Sequence, residues 1–87
     1  MDSWVVYILE CNDKTFYTGI TNDIKNRLAI HNMGKGAKYT RSRIPVKLVY
    51  LVKVNNKSSA LKLEYKIKAF SRKQKIKLIA ASKIIKH

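Results

Sequence analysis

The stretch WVVYILECNDKTFYTGITNDIKNRLAIH, residues 4–31, decides the fold of this chain. Two parts of it, residues 4–11 and residues 15–21, are rich in apolar, β-branched and aromatic side chains, which is typical of β-strands. The residues between them, 12–14, are the turn-forming sequence Asn-Asp-Lys. We therefore predict a β-hairpin at the start of the chain.

The length of the hairpin loop determines which side chains share a face of the sheet. A three-residue loop at residues 12–14 sets Leu9 opposite Tyr17 and Tyr7 opposite Gly19, and opposite residues of an antiparallel pair share a face. A two-residue loop would place the two tyrosines on opposite faces. We predict the longer loop, because it also puts the small Gly19 beside Tyr7 and leaves open space over the phenol.

A helix is predicted directly after the hairpin, over residues 23–32. Its apolar face, at a helical spacing of about 100° per residue, carries Ile24, Leu28 and His31. Arg27 lies at the edge of that face, and Gly34 is placed to end the helix as a C-terminal cap. The basic segment that follows, residues 37–43, is predicted to form a loop or one helical turn.

The remainder of the chain is predicted to form one strand and two helices. Residues 46–54 are almost continuously apolar, which predicts a central strand covered on both faces. A helix capped by Ser58 or Ser59 is expected to run to about residue 70, and a last helix to span residues 73–85. The inward residues are predicted to be Ala60, Leu63, Ile67 and Phe70 on the first of these helices and Ile76, Ile79, Ala80 and Ile84 on the second.

The predicted order β-β-α-β-α-α gives an α+β fold, a small three-stranded sheet with antiparallel pairing flanked by helices. The length of 87 residues suits a single domain over residues 1–87. No run approaches the roughly 20 apolar residues that span a membrane, and we find no secretory signal. Cys11 is the only cysteine, which excludes an intrachain disulfide or a cysteine-based zinc cluster and predicts a reducing, cytoplasmic setting.

Charge is the strongest compositional signal. Lys plus Arg number 19 and Asp plus Glu number 5, so the net charge is +14. A small domain this basic repels itself, and a polyanion relieves the repulsion, which makes nucleic acid the predicted partner. A membrane partner is not expected, because the charges are not confined to one amphipathic helix. An ordinary lysine-rich surface is the remaining interpretation.

Glu64 is the candidate metal ligand. Chemistry on a phosphodiester needs charge stabilisation, a nucleophilic water and a proton for the leaving oxygen. A divalent metal does much of this, and Mg²⁺ takes only one or two protein carboxylates. Glu64 is one of only two glutamates and borders a predicted core stripe. The alternative role is a helix salt bridge with Lys68 one turn later.

Four other side chains are candidates for the same chemistry, and each has a structural alternative. Arg27 could clamp a phosphate with two donors, or it could be a solvated arginine. Tyr7 and Tyr17 could position or deprotonate a water, or they could be sheet aromatics with satisfied hydroxyls. His31 could carry a proton or contact phosphate, or it could be a packing histidine.

The segment around Tyr39 mixes one aromatic ring with several cations, as contacts to single strands or to the nucleic-acid backbone do. The cations are Lys38, Arg41 and Arg43. The alternative is an ordinary solvated loop. Gly34-Lys35-Gly36 lacks the strand, full motif and helix of a P-loop, so we assign it no phosphate-binding role.

In combination these residues resemble the GIY-YIG endonuclease family, and most of all its small stand-alone, single-domain branch. The first motif element appears as VVY at residues 5–7 and the second as YTG at residues 17–19. Arg27 matches the arginine of the family's first helix, and Glu64 matches its metal-binding glutamate. Further matches to the sequence pattern of that branch lie at residues 31–34, 38–40 and 43–46 and at Ala60.

The resemblance implies a metal-dependent endonuclease that hydrolyses phosphodiester bonds in DNA. It implies that Glu64 holds Mg²⁺ or Mn²⁺, that Arg27 binds the phosphate, and that a water is activated near Tyr7 or Tyr17, between which the sequence does not choose. His31 and Tyr39 would contact the phosphate or leaving group. The residues expected to bind nucleic acid are Gly19, Lys38, Tyr39, Arg41 and Arg43. A role in DNA repair or recombination on branched or single-stranded DNA is expected, with a partner protein able to supply specificity.

The chain also departs from the family pattern. Val5 replaces the first motif glycine, Thr18 the usual aliphatic residue, and Ile20 stands where many members have lysine. If that lysine lowers a tyrosine pKa, a substitute is needed, and Lys38 is the candidate. The missing lysine and the basic tail, residues 72–86, favour the alternative function, a nucleic-acid-binding module on the same fold with weak or lost catalysis.

Overall fold

A computed structural model describes residues 3–82 of the chain. Within this range the strands are β1 (Trp4–Glu10), β2 (Phe16–Thr21) and β3 (Lys47–Val54), and the helices are α1 (Ile24–Asn32), α2 (Lys38–Arg41), α3 (Lys57–Lys68) and α4 (Arg72–Ser82). The predicted α+β order is confirmed, and the basic segment forms one short helix, α2. None of the helices in residues 3–82 is long and apolar enough to cross a membrane.

The sheet has the strand order β2-β1-β3 with both pairs antiparallel. The central strand is therefore β1, whose middle residues from Val5 to Leu9 are all buried. The prediction that β3 is central was wrong, because β3 is hydrogen-bonded along one edge only. Its apolar side chains pack against the clusters on both faces of the sheet, so its sequence resembles that of a central strand.

The predicted hairpin register is confirmed. Tyr7 pairs with Gly19 and Leu9 with Tyr17. The loop closes with two hydrogen bonds, from Cys11 N–H to the Thr15 carbonyl at 2.8 Å and from Lys14 N–H to the Cys11 carbonyl at 2.9 Å. Lys14 takes a positive φ of 69° to complete the turn, and both tyrosines consequently lie on the same face of the sheet.

The two faces of the sheet carry separate hydrophobic clusters, because alternate strand residues point to opposite sides. On one face, Val6 and Ile8 pack against Ala60 and Ile67 of α3. The residues buried on the other face are Tyr7, Leu9, Cys11 and Val46, with Ile24 and Leu28 of α1 packed against them. Tyr7 therefore points away from the main α3 interface and toward α1.

Helix α1 is fixed at both ends. The Asp23 side chain accepts a hydrogen bond from the Asn26 N–H at 3.2 Å and caps the N-terminus. Gly34 was predicted as the C-terminal cap, but the cap residue is Met33, and Gly34 follows it with a φ of +75°. The amide of Asn32 accepts from the Val46 N–H at 2.7 Å and donates to the Val46 carbonyl at 3.1 Å. This reciprocal pair ties the end of α1 to the residue before β3.

Two predictions about the C-terminal helices need correction. The cap of α3 is Asn56, whose side chain accepts from the Ser59 N–H at 2.8 Å. Ser58 and Ser59 cannot fill that place, because α3 begins at Lys57 and already includes both serines. The predicted core stripe of α3 is confirmed, since Ala60 and Ile67 are buried and Leu63 and Phe70 pack against them.

In α4 the predicted inward face was only partly right. Ile79 packs on the core as predicted, whereas Ile76 and Ala80 are exposed and Leu78, which was not predicted, also packs on the core. The half-buried positions are Lys75, Leu78, Ile79 and Ser82, a helical face in which the aliphatic stem of a lysine takes an apolar place. The predicted inward Ile84 lies outside the described residues.

Thr18 provides a test of this packing. It is 3% exposed, and its hydroxyl has no hydrogen-bond partner within residues 3–82. An unpaired buried polar group costs about 1–3 kcal/mol. We expect Thr18→Val, which keeps the shape and removes the hydroxyl, to raise the free energy of unfolding by about 1 kcal/mol, measured by urea denaturation.

Thr15→Val is the matched control for that substitution. The Thr15 hydroxyl donates to Asp13 at 2.5 Å on the surface, so its removal gives no such gain. Equal stability changes in the two variants would contradict the assignment of Thr18 as an unpaired buried group.

Candidate active site

Tyr7 lies at the centre of the candidate site. Its side chain is 1% exposed, and its hydroxyl lies 3.0 Å from His31 Nε2. A Cβ atom on Gly19 would stand 2.6 Å from that hydroxyl oxygen, a distance too short for any side chain. The open space predicted over the phenol is therefore not present, because the phenol itself fills the place that Gly19 leaves.

His31 is fully buried near the end of α1, and both of its ring nitrogens are hydrogen-bonded. Nδ1 lies 2.9 Å from the Thr40 hydroxyl oxygen, and that hydroxyl donates to the Ala37 carbonyl at 3.0 Å. Since the Thr40 proton is engaged, its oxygen accepts from Nδ1–H. Nε2 is then the acceptor for the Tyr7 hydroxyl, which gives a continuous chain from Tyr7 through His31 to Thr40.

Two residues that this arrangement requires were given no role from sequence. Thr40 is fully buried and fixes the His31 tautomer. Gly36 lies against the His31 ring so closely that a Cβ atom would collide with Nδ1. From its sequence context Gly36 resembled only part of an incomplete phosphate-binding loop. The one sequence feature that pointed to Thr40 was the match to the family pattern at residues 38–40.

Arg27 is half-buried on α1 and acts electrostatically on both members of this pair. Burial raises the pKa of the Tyr7 phenol, and the Arg27 side chain opposes that rise. Burial lowers the pKa of His31, and the Arg27 charge lowers it further. The imidazole is therefore neutral near pH 7, as its role as an acceptor from Tyr7 requires.

Tyr17 and Tyr39 extend the cluster toward the surface. The Tyr17 ring centroid lies 6.4 Å from that of Tyr7 and 5.4 Å from that of His31. Tyr39 stacks on Tyr17 at 6.3 Å with an angle of 22° between the rings. Tyr17 is half-buried, so it is the more accessible of the two strand tyrosines.

The arginines of the α2 region are already engaged within the protein. The Arg43 guanidinium lies 4.0 Å from the Tyr39 ring centroid, and its Nε forms an ion pair with Asp13 at 3.0 Å. Arg41 Nε donates to the Gly36 carbonyl at 3.2 Å. Lys38, by contrast, is exposed at the first position of α2. The predicted basic segment thus holds the loop in place with two of its three cations.

Glu64 lies on α3. Its side chain is 17% exposed, and its Oε2 lies 3.3 Å from Lys68 Nζ, so the ion pair considered as an alternative is present. Its charge nevertheless reaches Tyr7, where it contributes to the raised pKa of the phenol. Residues 3–82 contain no group of three or more His, Cys, Asp or Glu residues able to hold a metal. A single carboxylate fits a Mg²⁺ ion only if water and substrate oxygens complete its shell.

The fold is an α+β domain with a cluster of aromatic side chains and a histidine on one face of its sheet. The chain belongs to the GIY-YIG family, since the model of the GIY-YIG catalytic domain matches residues 3–77. The family resemblance inferred from sequence is thereby confirmed, and the family places the chain among nucleases that bind DNA.

The similar proteins are themselves small. A UPF0213 protein of Staphylococcus haemolyticus is 54% identical over 74 residues, covering 85% of this chain and 90% of its own. A UPF0213 protein of Staphylococcus saprophyticus is 52% identical over 80 residues, covering 92% and 98%. These lengths are consistent with the stand-alone branch of the family.

Two solved structures share the fold. The solution NMR structure of a UPF0213 protein from Bacillus halodurans is 45% identical, with a TM-score of 0.58 over 92% of this chain and 84% of that one. The solution NMR structure of the protein EF2693 from E. faecalis is 39% identical, with a TM-score of 0.62 over 92% and 88%.

The Tyr7–His31 hydrogen bond can be tested by removing one hydroxyl. Tyr7→Phe leaves Nε2 of a fully buried histidine without its donor, which costs about 1–3 kcal/mol. We expect a loss of that size in the free energy of unfolding from urea denaturation. Tyr65→Phe is the matched control, because Tyr65 is largely exposed and should change stability by less than about 0.5 kcal/mol. Equal effects would contradict the bond.

The lowered pKa of His31 predicts a pH dependence of stability. Burial, and then the Arg27 charge, lower the pKa of His31 in the folded state, while in the unfolded chain the imidazole takes up a proton below about pH 6.5. The unfolded state therefore binds more protons, and the free energy of unfolding should fall as the pH drops from 7.5 to 5.5. His31→Gln should lose this part of the dependence. An unchanged slope in that variant would show that other groups cause it.

Proposed function

We propose that this protein is a divalent-metal-dependent endonuclease that hydrolyses phosphodiester bonds in DNA. The observation that carries the proposal is the buried Tyr7 hydroxyl, which lies 3.0 Å from His31 Nε2 with the Tyr17 ring beside it. Burial raises the pKa of this phenol, and Arg27, Tyr17 and Glu64 also act on it. A cation and a carboxylate near one phenol are groups that phosphodiester hydrolysis can use.

Arg27 is assigned to the phosphate, and the two strand tyrosines are assigned to the nucleophilic water and its positioning. The Arg27 guanidinium can offer two donors to a phosphate and offset charge that grows in the transition state. Tyr7 is buried and its proton is directed to His31, which suits a positioning role. Tyr17 is more accessible, so we assign it the contact with the nucleophilic water.

Glu64 is the residue assigned to the metal. Its carboxylate would hold one Mg²⁺ or Mn²⁺, with phosphate oxygens and waters as the remaining ligands. When bound, such an ion polarises the phosphoryl group and lowers the pKa of a coordinated water. Lys68, which forms the ion pair with Glu64 in the present structure, would give up that contact when the ion arrives.

The substrate is DNA recognised mainly through its backbone. The net charge of +14 supplies a strong, salt-dependent attraction, and a single small domain offers too little surface for tight sequence specificity. We propose a role in DNA repair or recombination on branched or single-stranded DNA. A partner protein could add specificity. The buried, reduced Cys11 suits a cytoplasmic setting.

The Glu64–Lys68 pair allows the metal role to be separated from the ion-pair role. Glu64→Gln should lower the cleavage rate of plasmid DNA about 100-fold or more in Mg²⁺ or Mn²⁺, while leaving DNA affinity in chelator unchanged or slightly higher. Lys68→Met breaks the same ion pair but keeps the carboxylate. It should retain cleavage and reach half-maximal rate at a lower Mg²⁺ concentration.

Arg27→Ala is the third arm of this experiment and should cost about 100- to 1000-fold in rate at saturating metal. Cleavage that survives in both the Glu64 and the Arg27 variants would show a contaminant or a different site. Equal losses in Glu64→Gln and Lys68→Met would mean that only the ion pair matters.

A nucleic-acid-binding module without catalysis is the second candidate. Ile20, where many family members carry lysine, favours it. The outcome that selects it is tight, salt-dependent binding of DNA with no cleavage in Mg²⁺ or Mn²⁺ on supercoiled, linear and branched substrates.

A further inference from the structure

Helix α3 carries an exposed apolar pair on its outer side. Leu61 is 47% exposed and Tyr65 is 80% exposed, and their spacing of one turn places them on the same face of the helix. The core stripe of α3 lies on the opposite side, with Ala60 and Ile67 fully or nearly fully buried. The pair is therefore not part of the two hydrophobic clusters of residues 3–82.

Tyr65 is the tyrosine of this chain whose ring is open to a ligand. Of the five tyrosines, Tyr7 is buried, Tyr17 and Tyr39 stack on each other, and Tyr50 packs against the α3-side core. Within residues 3–82 no aromatic or cationic partner contacts the Tyr65 ring. The ring of Tyr39, which the sequence suggested for single-strand contacts, is by contrast engaged by Tyr17 and Arg43.

The position of the pair links it to the proposed metal ligand. Around α3, at a helical spacing of about 100° per residue, Leu61 lies between Glu64 and Tyr65 in projection. The exposed Lys62 and Lys66 border Tyr65 on its other side. A DNA strand whose phosphate reached Glu64 could continue over Leu61 to Tyr65 within about one helical turn.

The charge and the area of this exposed face indicate which kind of ligand it binds. The lysine border and the net charge of +14 attract a polyanion and resist association with a second copy of the same chain. One tyrosine ring offers on the order of 200 Å², which matches one nucleobase and falls far short of the roughly 800 Å² per partner of a stable protein interface.

We propose that Tyr65, with Leu61 beside it, stacks an unpaired base of the DNA strand next to the scissile phosphate. This inference rests on the proposed function and narrows its substrate to DNA with at least one unpaired nucleotide at the cleavage position. The bases of an unbroken duplex are stacked on each other and present no face to a tyrosine. Branch points, overhangs and single strands do.

The test is fluorescence anisotropy in chelator with a labelled single-stranded oligonucleotide and a duplex of the same length. Tyr65→Ala should weaken single-strand binding between about 5- and 100-fold and change duplex binding by less than about twofold. Tyr65→Phe should bind both forms like the parent chain, because stacking uses the ring and not the hydroxyl.

Lys62→Ala is the matched control. It removes a neighbouring charge from the same exposed face, and it should weaken both forms of DNA alike and reduce the slope of log affinity against log salt by about one. Unchanged melting temperatures will show that all three variants fold.

Single-strand affinity that is unaffected by Tyr65→Ala, or lowered equally with duplex affinity, would overturn the proposal. A dimer that dissociates in Tyr65→Ala, or Tyr65-dependent binding to anionic vesicles without an effect on single strands, would assign the face to another occupant. The assay needs no cleavage, so these outcomes are independent of whether Glu64 supports catalysis.

Discussion

The hydrogen bond between the Tyr7 hydroxyl and His31 Nε2, 3.0 Å long, is the contact on which the site depends. It joins the central strand to α1 across a fully buried space, where a polar group without a partner is costly. Both rings fit only because the chain supplies glycine where each one presses against the backbone, Gly19 under the phenol and Gly36 beside the imidazole. The polar pair and the two glycines thus form one packing unit.

A series of side-chain contacts connects this unit to α2 and to the hairpin. Thr40 binds the second nitrogen of His31. The preceding residue, Tyr39, stacks on Tyr17, and Arg43, just after α2, lies over the Tyr39 ring. Arg43 in turn binds Asp13 at the hairpin tip. An exposed ion pair contributes little free energy by itself. Here it closes a ring of contacts from hairpin to helix and back, which restricts the orientation of Tyr17.

The elements that sequence predicted well are those fixed by short-range periodicity. The two-residue repeat of a strand, together with the loop length, was enough to place Tyr7 opposite Gly19. Patterns of apolar residues could not show that β3 is an edge strand, since its half-buried apolar side chains pack on both faces of the sheet. They also gave a partly wrong inward face for α4, where Lys75 occupies a half-buried position. Thr40 and Gly36 were missed because their roles arise only from contact with His31.

The ion pair between Glu64 and Lys68 would couple the binding of a metal ion to the binding of a DNA strand. In a chain with few acids, an isolated carboxylate would repel phosphate, but the neighbouring ammonium at 3.3 Å cancels its charge. A divalent ion that replaced Lys68 at the carboxylate would leave the lysine free and add a net positive charge at the same place. Phosphate binding should therefore favour metal binding and the reverse, since such coupling is reciprocal. Under the proposed function, one glutamate would then be sufficient, because substrate oxygens and water would complete the metal's shell.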